Sequence, residues 1–222
     1  MLIPFQKRRK ANNVKINGRD ISRGTALMIA AACGRAEVVR LLAEHECDID
    51  KWYEEYERGY DYTALMYAAQ NGHADCVGLL LKKEGGMKNK GGWTALMSAA
   101  QNGHTECVKL LLEKEAGMQN NYGWTALMGA VENGHTDCVK LLLEREAGMQ
   151  NNEGYTALMI AIQNNNVDCA RLLARKEGHI KRTYKRDNGG YSSAQTCTET
   201  ALDIAKANGC KAIIAILSGG VQ

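Results

Sequence analysis

Short blocks of apolar residues alternate with polar turns along most of the chain, and their spacing is regular. The tetrapeptide Thr-Ala-Leu-Met begins at five positions, and an altered copy begins at a sixth: Thr25, Thr63, Thr94, Thr125, Thr156 and Thr200. The three central intervals are equal, since 94−63, 125−94 and 156−125 are all 31. A fixed period of roughly 20–50 residues is typical of one small supersecondary unit stacked on copies of itself. The pattern therefore predicts an array in which each unit buries its apolar face against its neighbours.

The copy at residues 92–119 predicts two helices joined and followed by turns. Thr94 is a good N-cap, and strong helix formers follow it as far as Gly103, which suits a helix end. We expect Thr105 to cap a second helix, whose apolar stripe lies within 107–112 and which ends at Gly117. The residues after it have the composition of a turn.

Two antiparallel helices and a projecting turn, or finger, in roughly 30 residues resemble the ankyrin repeat, whose signature is Thr-Pro-Leu-His-x-Ala. The residues that carry the resemblance are Thr94-Ala-Leu-Met-Ser-Ala99, Asn102-Gly-His104 and Val108-Lys-Leu-Leu-Leu112. It extends from residue 24 to about residue 217. It implies an all-α fold, an ankyrin-repeat solenoid of helix-turn-helix units with short turn or β-hairpin fingers. It also implies binding to protein partners.

The chain departs from the family pattern in three ways. Alanine replaces the family proline, and methionine replaces the family histidine, so we expect a thioether to pack where that histidine makes hydrogen bonds. The period of 31 is shorter than the family period of about 33, so the fingers should be truncated. In these features the chain is similar to the proline-poor, TALM-type ankyrin-repeat proteins of Giardia, some of which are joined to Nek-type kinase domains.

The predicted organisation is an N-terminal segment (1–23), an array of six repeats (24–217) and a C-terminal tail (218–222). The repeats begin near residues 24, 62, 93, 124, 155 and 199. Two intervals are longer than 31, because 63−25 is 38 and 200−156 is 44. We place the insertions near 51–61, an aromatic and acidic finger, and near 177–199, a basic flap rich in Gly and Ser.

The repeated cysteines and histidines favour packing over chemistry. Four cysteines occupy one position in successive second helices: Cys76, Cys107, Cys138 and Cys169. Helix axes lie about 8–10 Å apart, whereas a disulfide needs Cα atoms within about 7 Å, so we predict small buried side chains. His73, His104 and His135 should pack the turn between helices, with a metal-binding or pH-sensing ladder as the alternative. We expect no cofactor and no metal.

Sequence motifs of catalysis are missing. The chain has no P-loop, no Gly-x-Ser-x-Gly elbow and no His-Glu-x-x-His pair. We therefore predict a protein that is not an enzyme: a scaffold that binds a partner through the concave surface of fingers and first helices. The alternative is a regulatory or targeting segment of a larger protein such as a Nek-type kinase.

Three groups of residues are candidates for partner binding. An aromatic residue precedes four successive threonines: Tyr62, Trp93, Trp124 and Tyr155. A polar row follows the first helices: Gln70, Asn71, Gln101, Asn102, Glu132, Asn133 and Gln163. The resemblance implies that both rows face the partner, although the aromatics could equally clamp one finger onto the next. The third group belongs to the first insertion: Trp52, Tyr53 and Tyr56.

Charge and hydropathy limit the classes of partner that we expect the chain to bind. A net charge of +3 gives little reason to expect nucleic acid, although the basic flap could bind nucleic acid or anionic lipid. No apolar run reaches the roughly 18 residues of a membrane span, and no small-molecule substrate is expected. The last helix keeps the apolar pattern of an internal one, so we expect the flap, a partner chain or further sequence to cover it. Self-association through the C-terminal repeat is one of these alternatives. An intracellular, cytoplasmic location is predicted.

Overall fold

The computed structural model describes residues 14–16, 19–21, 26–43, 62–186 and 195–219. In these residues the chain forms six consecutive helix pairs and two antiparallel hairpins. The first helices of the pairs are α1 (Ala26–Ala32), α3 (Ala64–Gln70), α5 (Ala95–Gln101), α7 (Ala126–Glu132), α9 (Ala157–Gln163) and α11 (Ala201–Ala207). The second helices are α2 (Ala36–Ala43), α4 (Ala74–Glu84), α6 (Thr105–Glu115), α8 (Thr136–Glu146), α10 (Val167–Glu177) and α12 (Lys211–Ser218). The hairpins pair β1 (Val14–Ile16) with β2 (Arg19–Ile21), and β3 (Lys181–Arg186) with β4 (Gln195–Thr200).

The helix ends follow local sequence with one exception. The hydroxyl of Thr125 accepts a hydrogen bond from the N–H of Met128, so this threonine caps α7 as predicted. The predicted cap at Thr105 is wrong, because α6 begins at that residue. In the equivalent helix α8 the N-cap is His135, which makes no side-chain capping bond. In α6 and α8 the helix therefore begins at the threonine itself and not after it.

Internal contacts divide the chain into two units, residues 1–99 with 106–115, and residues 100–105 with 116–222. Within the first unit, α1 packs on α3 and α2 packs on α4. Within the second, first helices pack in the order α7, α9 and α11, and second helices in the order α8, α10 and α12. In these stretches of each unit, a helix pair therefore shares its apolar residues with the next pair.

The side chains at the centre of each unit are those that the period predicts. Of the five methionines of the repeated tetrapeptide, Met66, Met97, Met128 and Met159 are at most 2% exposed, whereas Met28 is half-buried. The four repeated cysteines, Cys76, Cys107, Cys138 and Cys169, are free thiols and at most 1% exposed. The predicted packing roles of the methionines and cysteines are confirmed.

A buried glutamate ends each of the second helices α4, α6, α8 and α10. These residues, Glu84, Glu115, Glu146 and Glu177, are at most 1% exposed. In each, Oε2 accepts a 2.7 Å hydrogen bond from the N–H of the leucine 19 positions earlier, in the first turn of the first helix. In the last three, Oε1 also accepts from the N–H of a glycine 29 positions earlier, at 2.9–3.0 Å. One carboxyl thus joins its own first helix to the end of the preceding repeat.

These bonds satisfy N–H groups that a helix leaves unpaired at its start. In α7, Thr125 accepts from Met128 and Glu146 accepts from Leu127, so the two side chains share the first turn. Burial raises the pKa of Glu146 and of Glu177 above the ordinary value of 4.5, while the backbone N–H donors act in the opposite direction. The carboxyl is thus held by hydrogen bonds in a place that disfavours its charge.

Glu84 differs from the other three buried glutamates. Its Oε1 is buried and has no hydrogen-bond partner among the described residues. The equivalent donor would be residue 48, because the first interval is seven residues longer than 31 and 84−36 is 48, and that residue lies outside the described ranges. Burial raises the pKa of Glu84 as well.

Replacing a buried glutamate should destabilise the chain far more than replacing an exposed one. Glu146→Ala leaves the N–H groups of Gly117 and Leu127 without their acceptor, so we expect a loss of about 2–4 kcal/mol in the free energy of unfolding. Glu144→Ala, two residues away in α8, removes only an exposed ion pair with Lys176 and should cost less than about 1 kcal/mol. Urea unfolding of both variants measures the difference, and equal losses would contradict the role assigned to Glu146.

Candidate functional site

The predicted aromatic row is half-buried, and a buried asparagine holds the backbone of its last three members. The N–H groups of Trp93, Trp124 and Tyr155 donate to the side-chain oxygen of the asparagine four positions earlier, at 2.8–2.9 Å. Those asparagines are Asn89, Asn120 and Asn151, each at most 9% exposed. Sequence reasoning missed them, although their recurrence every 31 residues was a signal. They fix the position from which each aromatic ring projects.

Tyr62, the first member of the aromatic row, packs against its own helix. Its ring lies 5.5 Å from that of Tyr67 in α3, in a tilted arrangement. Burial and the neighbouring Tyr62 raise the pKa of Tyr67. Part of the surface of the Tyr62 ring is therefore covered by Tyr67 of the same chain.

The polar row contains amides that close the ends of helices and other side chains that are half-buried or exposed. The side-chain NH₂ groups of Asn71 and Asn133 donate to carbonyls four residues earlier, at 2.8 and 3.0 Å, and so close the ends of α3 and α7. Gln70, Gln101 and Asn102 are half-buried, whereas Glu132, Asn133 and Gln163 are exposed. Trp52, Tyr53 and Tyr56 lie outside the described residues. The partner role of both rows stays a prediction.

The fingers of the second unit are joined by glutamine side chains. Nε2 of Gln119 donates to the carbonyls of Gly123 and Gln150, and Nε2 of Gln150 donates to those of Gly154 and Lys181. Since 150−119 and 181−150 are both 31, β3 begins where the next finger is due. The second insertion is therefore a lengthened finger. The predicted flap was given no secondary structure, but its arms pair as β3 and β4 over the six positions from Lys181↔Thr200 to Arg186↔Gln195.

Arg182 fastens this long finger to the preceding one. Its Nη1 donates to Glu199 Oε1 at 2.7 Å, and its Nε donates to the carbonyl of Glu153 at 2.8 Å. The guanidinium carbon lies 3.9 Å from the ring centre of Tyr155 and 4.5 Å from that of Tyr184. With 14% of its side chain exposed, Arg182 makes cation–π contacts and an ion pair in a partly desolvated place.

Two breaks in the repeat pattern could have revealed this arrangement. Glu199 directly precedes Thr200, at the position where the four preceding repeats have an aromatic residue. Arg182 lies 31 residues after Asn151, so it replaces the asparagine that holds the other fingers. Sequence reasoning noted only that the segment was basic.

An open groove lies between the long finger and the first helices α9 and α11. Its volume is about 650 Å³. Its walls combine polar and apolar side chains: Tyr155, Gln163, Arg182, Tyr184, Glu199, Ile204, Ala207 and Asn208. Of the predicted site residues, Tyr155 and Gln163 are among them. This surface can accept an elongated segment with both polar and aliphatic groups.

Two of the repeated histidines pack between helix pairs. His73 Nε2 lies 3.0 Å from the carbonyl oxygen of Ala32, and its ring occupies the space that a side chain at Gly34 would need. His135 lies against Gly103 in the same way. Within the described ranges no group of three or more His, Cys, Asp or Glu side chains could hold a metal ion. None of the helices described is long and apolar enough to cross a membrane.

Comparison with known proteins gives one family and one curated relative. A family model described as ankyrin repeats in three copies matches four overlapping segments, residues 5–90, 83–152, 114–184 and 145–221. The E3 ubiquitin-protein ligase XBAT33 of Arabidopsis thaliana is 40% identical over 70 residues. That match covers 32% of the chain and 13% of the relative.

Loss of Arg182 should loosen the long finger without unfolding the helices. In Arg182→Ala, we expect amide hydrogen exchange of residues 196–200 to be about tenfold faster, because the ion pair and both ring contacts are lost. Exchange in α7 and α8 should not change. Arg175→Ala, an exposed arginine on α10, is the control. Unaltered exchange in β4 of Arg182→Ala would contradict the fastening role.

Proposed function

We propose, from the premise that the chain belongs to the ankyrin-repeat family, that it binds a protein partner and catalyses no reaction. Members of this family generally mediate protein–protein interactions. The finer proposal is that recognition uses the surface of fingers and first helices. In the second unit this surface centres on the groove beside the long finger.

The observation that supports this site most strongly is that Arg182 fastens the long finger to the preceding one. A hairpin of two six-residue strands with no attachment would have to be ordered when a partner binds, at a cost in conformational entropy. Here two rings and one carboxylate hold the hairpin beside the groove before binding. A preformed wall of this kind lowers the cost of association.

The groove has the chemistry of a peptide-binding surface. The exposed amides of Gln163 and Asn208 can donate to and accept from the backbone of an extended segment. Tyr155 and Tyr184 offer aromatic area, and tyrosine is enriched among residues that dominate binding energy. Ile204 and Ala207 can contact an aliphatic side chain of the partner.

The second candidate is a regulatory or targeting segment of a larger protein. It is favoured by the relative named as an E3 ubiquitin-protein ligase, because the chain matches only 13% of that protein's length. A Nek-type kinase, suggested by the likeness to Giardia arrays, is another such parent and stays a prediction. Sequencing the full transcript distinguishes this candidate, because it requires a catalytic region in the same reading frame.

The proposed site can be tested by comparing groove and control variants in partner capture. Proteins retained by the wild-type chain would be purified, and their direct affinities measured for Gln163→Ala/Asn208→Ala and for Lys140→Ala/Arg171→Ala. All four positions are exposed, and the control pair lies on the second helices α8 and α10. We expect the groove variant to bind at least about tenfold more weakly and the control to bind like wild type. Equal affinities for both variants would refute this site.

Salt dependence separates protein recognition at the groove from binding of nucleic acid or lipid by the basic strand. Contacts with phosphates release counterions, so affinity for a polyanion falls steeply as salt rises. Recognition through aromatic and amide groups should lose little affinity over the same range.

A further inference from the structure

The two edges of the β3–β4 hairpin are in different situations. The outer edge of β3 lies along the preceding finger, where Gln150 donates to the carbonyl of Lys181 and Gly154 lies near the backbone of Thr183. β4 pairs with β3 on one side. On its other side it has no partner strand in the residues that the structure describes. β4 is thus the edge at which a further strand could pair.

The sequences of the two strands also make β4 a better edge for pairing than β3. β3 reads Lys-Arg-Thr-Tyr-Lys-Arg, with four positive charges in six residues, whereas β4 reads Gln-Thr-Cys-Thr-Glu-Thr. Lysine and proline protect an edge strand against pairing with other chains, and β4 contains neither. Threonine favours the strand conformation. The one charged residue of β4, Glu199, is already paired with Arg182.

The threonines of β4 lie on one face of the hairpin. Thr196 and Thr198 are exposed, as is Thr183 on β3, whereas Cys197 and Glu199 are half-buried. Alternation of this kind means that positions 196, 198 and 200 share a face. Thr200 is half-buried, and its N–H and hydroxyl donate to Asp203, so two antiparallel copies of β4 align exposed threonines at Thr198.

We propose that β4 pairs antiparallel with β4 of a second copy of this chain, about a two-fold axis at Thr198. The result is one four-stranded sheet in which the two β4 strands are central and the two β3 strands are at the edges. Thr198 of each copy lies opposite Thr198 of the other, and Thr196 lies opposite Thr200. Cross-strand threonine pairs stabilise antiparallel sheets, and a two-fold interface needs a self-complementary surface.

This interface is separate from the proposed partner site. Arg182, Tyr184 and Glu199 line the groove, whereas the threonine row lies on the opposite face of the hairpin. An added strand extends the sheet sideways. Dimer formation and partner binding can therefore succeed or fail independently.

Sedimentation velocity of the full chain, from micromolar to near-millimolar concentration, tests the pairing. We expect wild type to form a dimer as its concentration rises. Thr198→Lys and Thr198→Asp each place like charges directly opposite one another, so each should weaken the dimer by at least about tenfold. An equimolar mixture of the two variants places Lys opposite Asp and should restore the dimer.

Thr183→Lys is the matched control. It adds the same charge on the same face, at the cross-strand neighbour of Thr198, but one strand further from the axis. It should dimerise like wild type, and the thermal midpoints of all variants should be similar. A wild type that stays monomeric at the highest concentration would overturn the proposal. So would equal weakening by Thr183→Lys and Thr198→Lys, or a mixture that does not dimerise.

Discussion

The hydrogen bonds of a buried carboxyl connect one repeat to the next. Glu146 and Glu177 each accept one backbone N–H from the first turn of their own repeat and another from the end of the previous one. Both bonds require the same distance along the chain in successive repeats, so they reinforce the period of 31. The β3–β4 insertion follows Glu177 and therefore leaves the two hydrogen bonds of that carboxyl in place.

The same carboxyls link stability to pH, with a definite sign. Burial raises the pKa of Glu146 and Glu177 in the folded chain, so the folded state binds protons more tightly than the unfolded one. Their contribution to stability is complete below the unfolded pKa and decreases as pH rises through the folded pKa. At neutral pH the backbone N–H donors offset the cost of a buried charge.

Much of the fold, but less of the site, followed from sequence. The sequence predicts the helix pairs and the buried methionines and cysteines because they depend on spacing within one repeat. The period follows from comparing successive repeats. Glu146 was missed because an acidic residue at the end of a helix is ordinarily exposed. Its burial becomes apparent only when the neighbouring elements are placed around it. Arg182 was missed for a related reason, because its four contacts come from three separate segments. In the sequence, Glu146 stands out only as a residue that recurs every 31 positions. Arg182 stands out only as a residue that interrupts such a recurrence.

The most direct test of this account is a site-resolved titration of the glutamate carboxyls by carbon-detected NMR. The account predicts that Glu146 and Glu177 titrate above the ordinary glutamate value of 4.5, because both carboxyls are buried. It also predicts that the amide resonances of Leu127 and Leu158 shift with the same midpoints, because those N–H groups donate to the titrating oxygens. Titration of both carboxyls at or below 4.5, with no response at the two leucine amides, would contradict it.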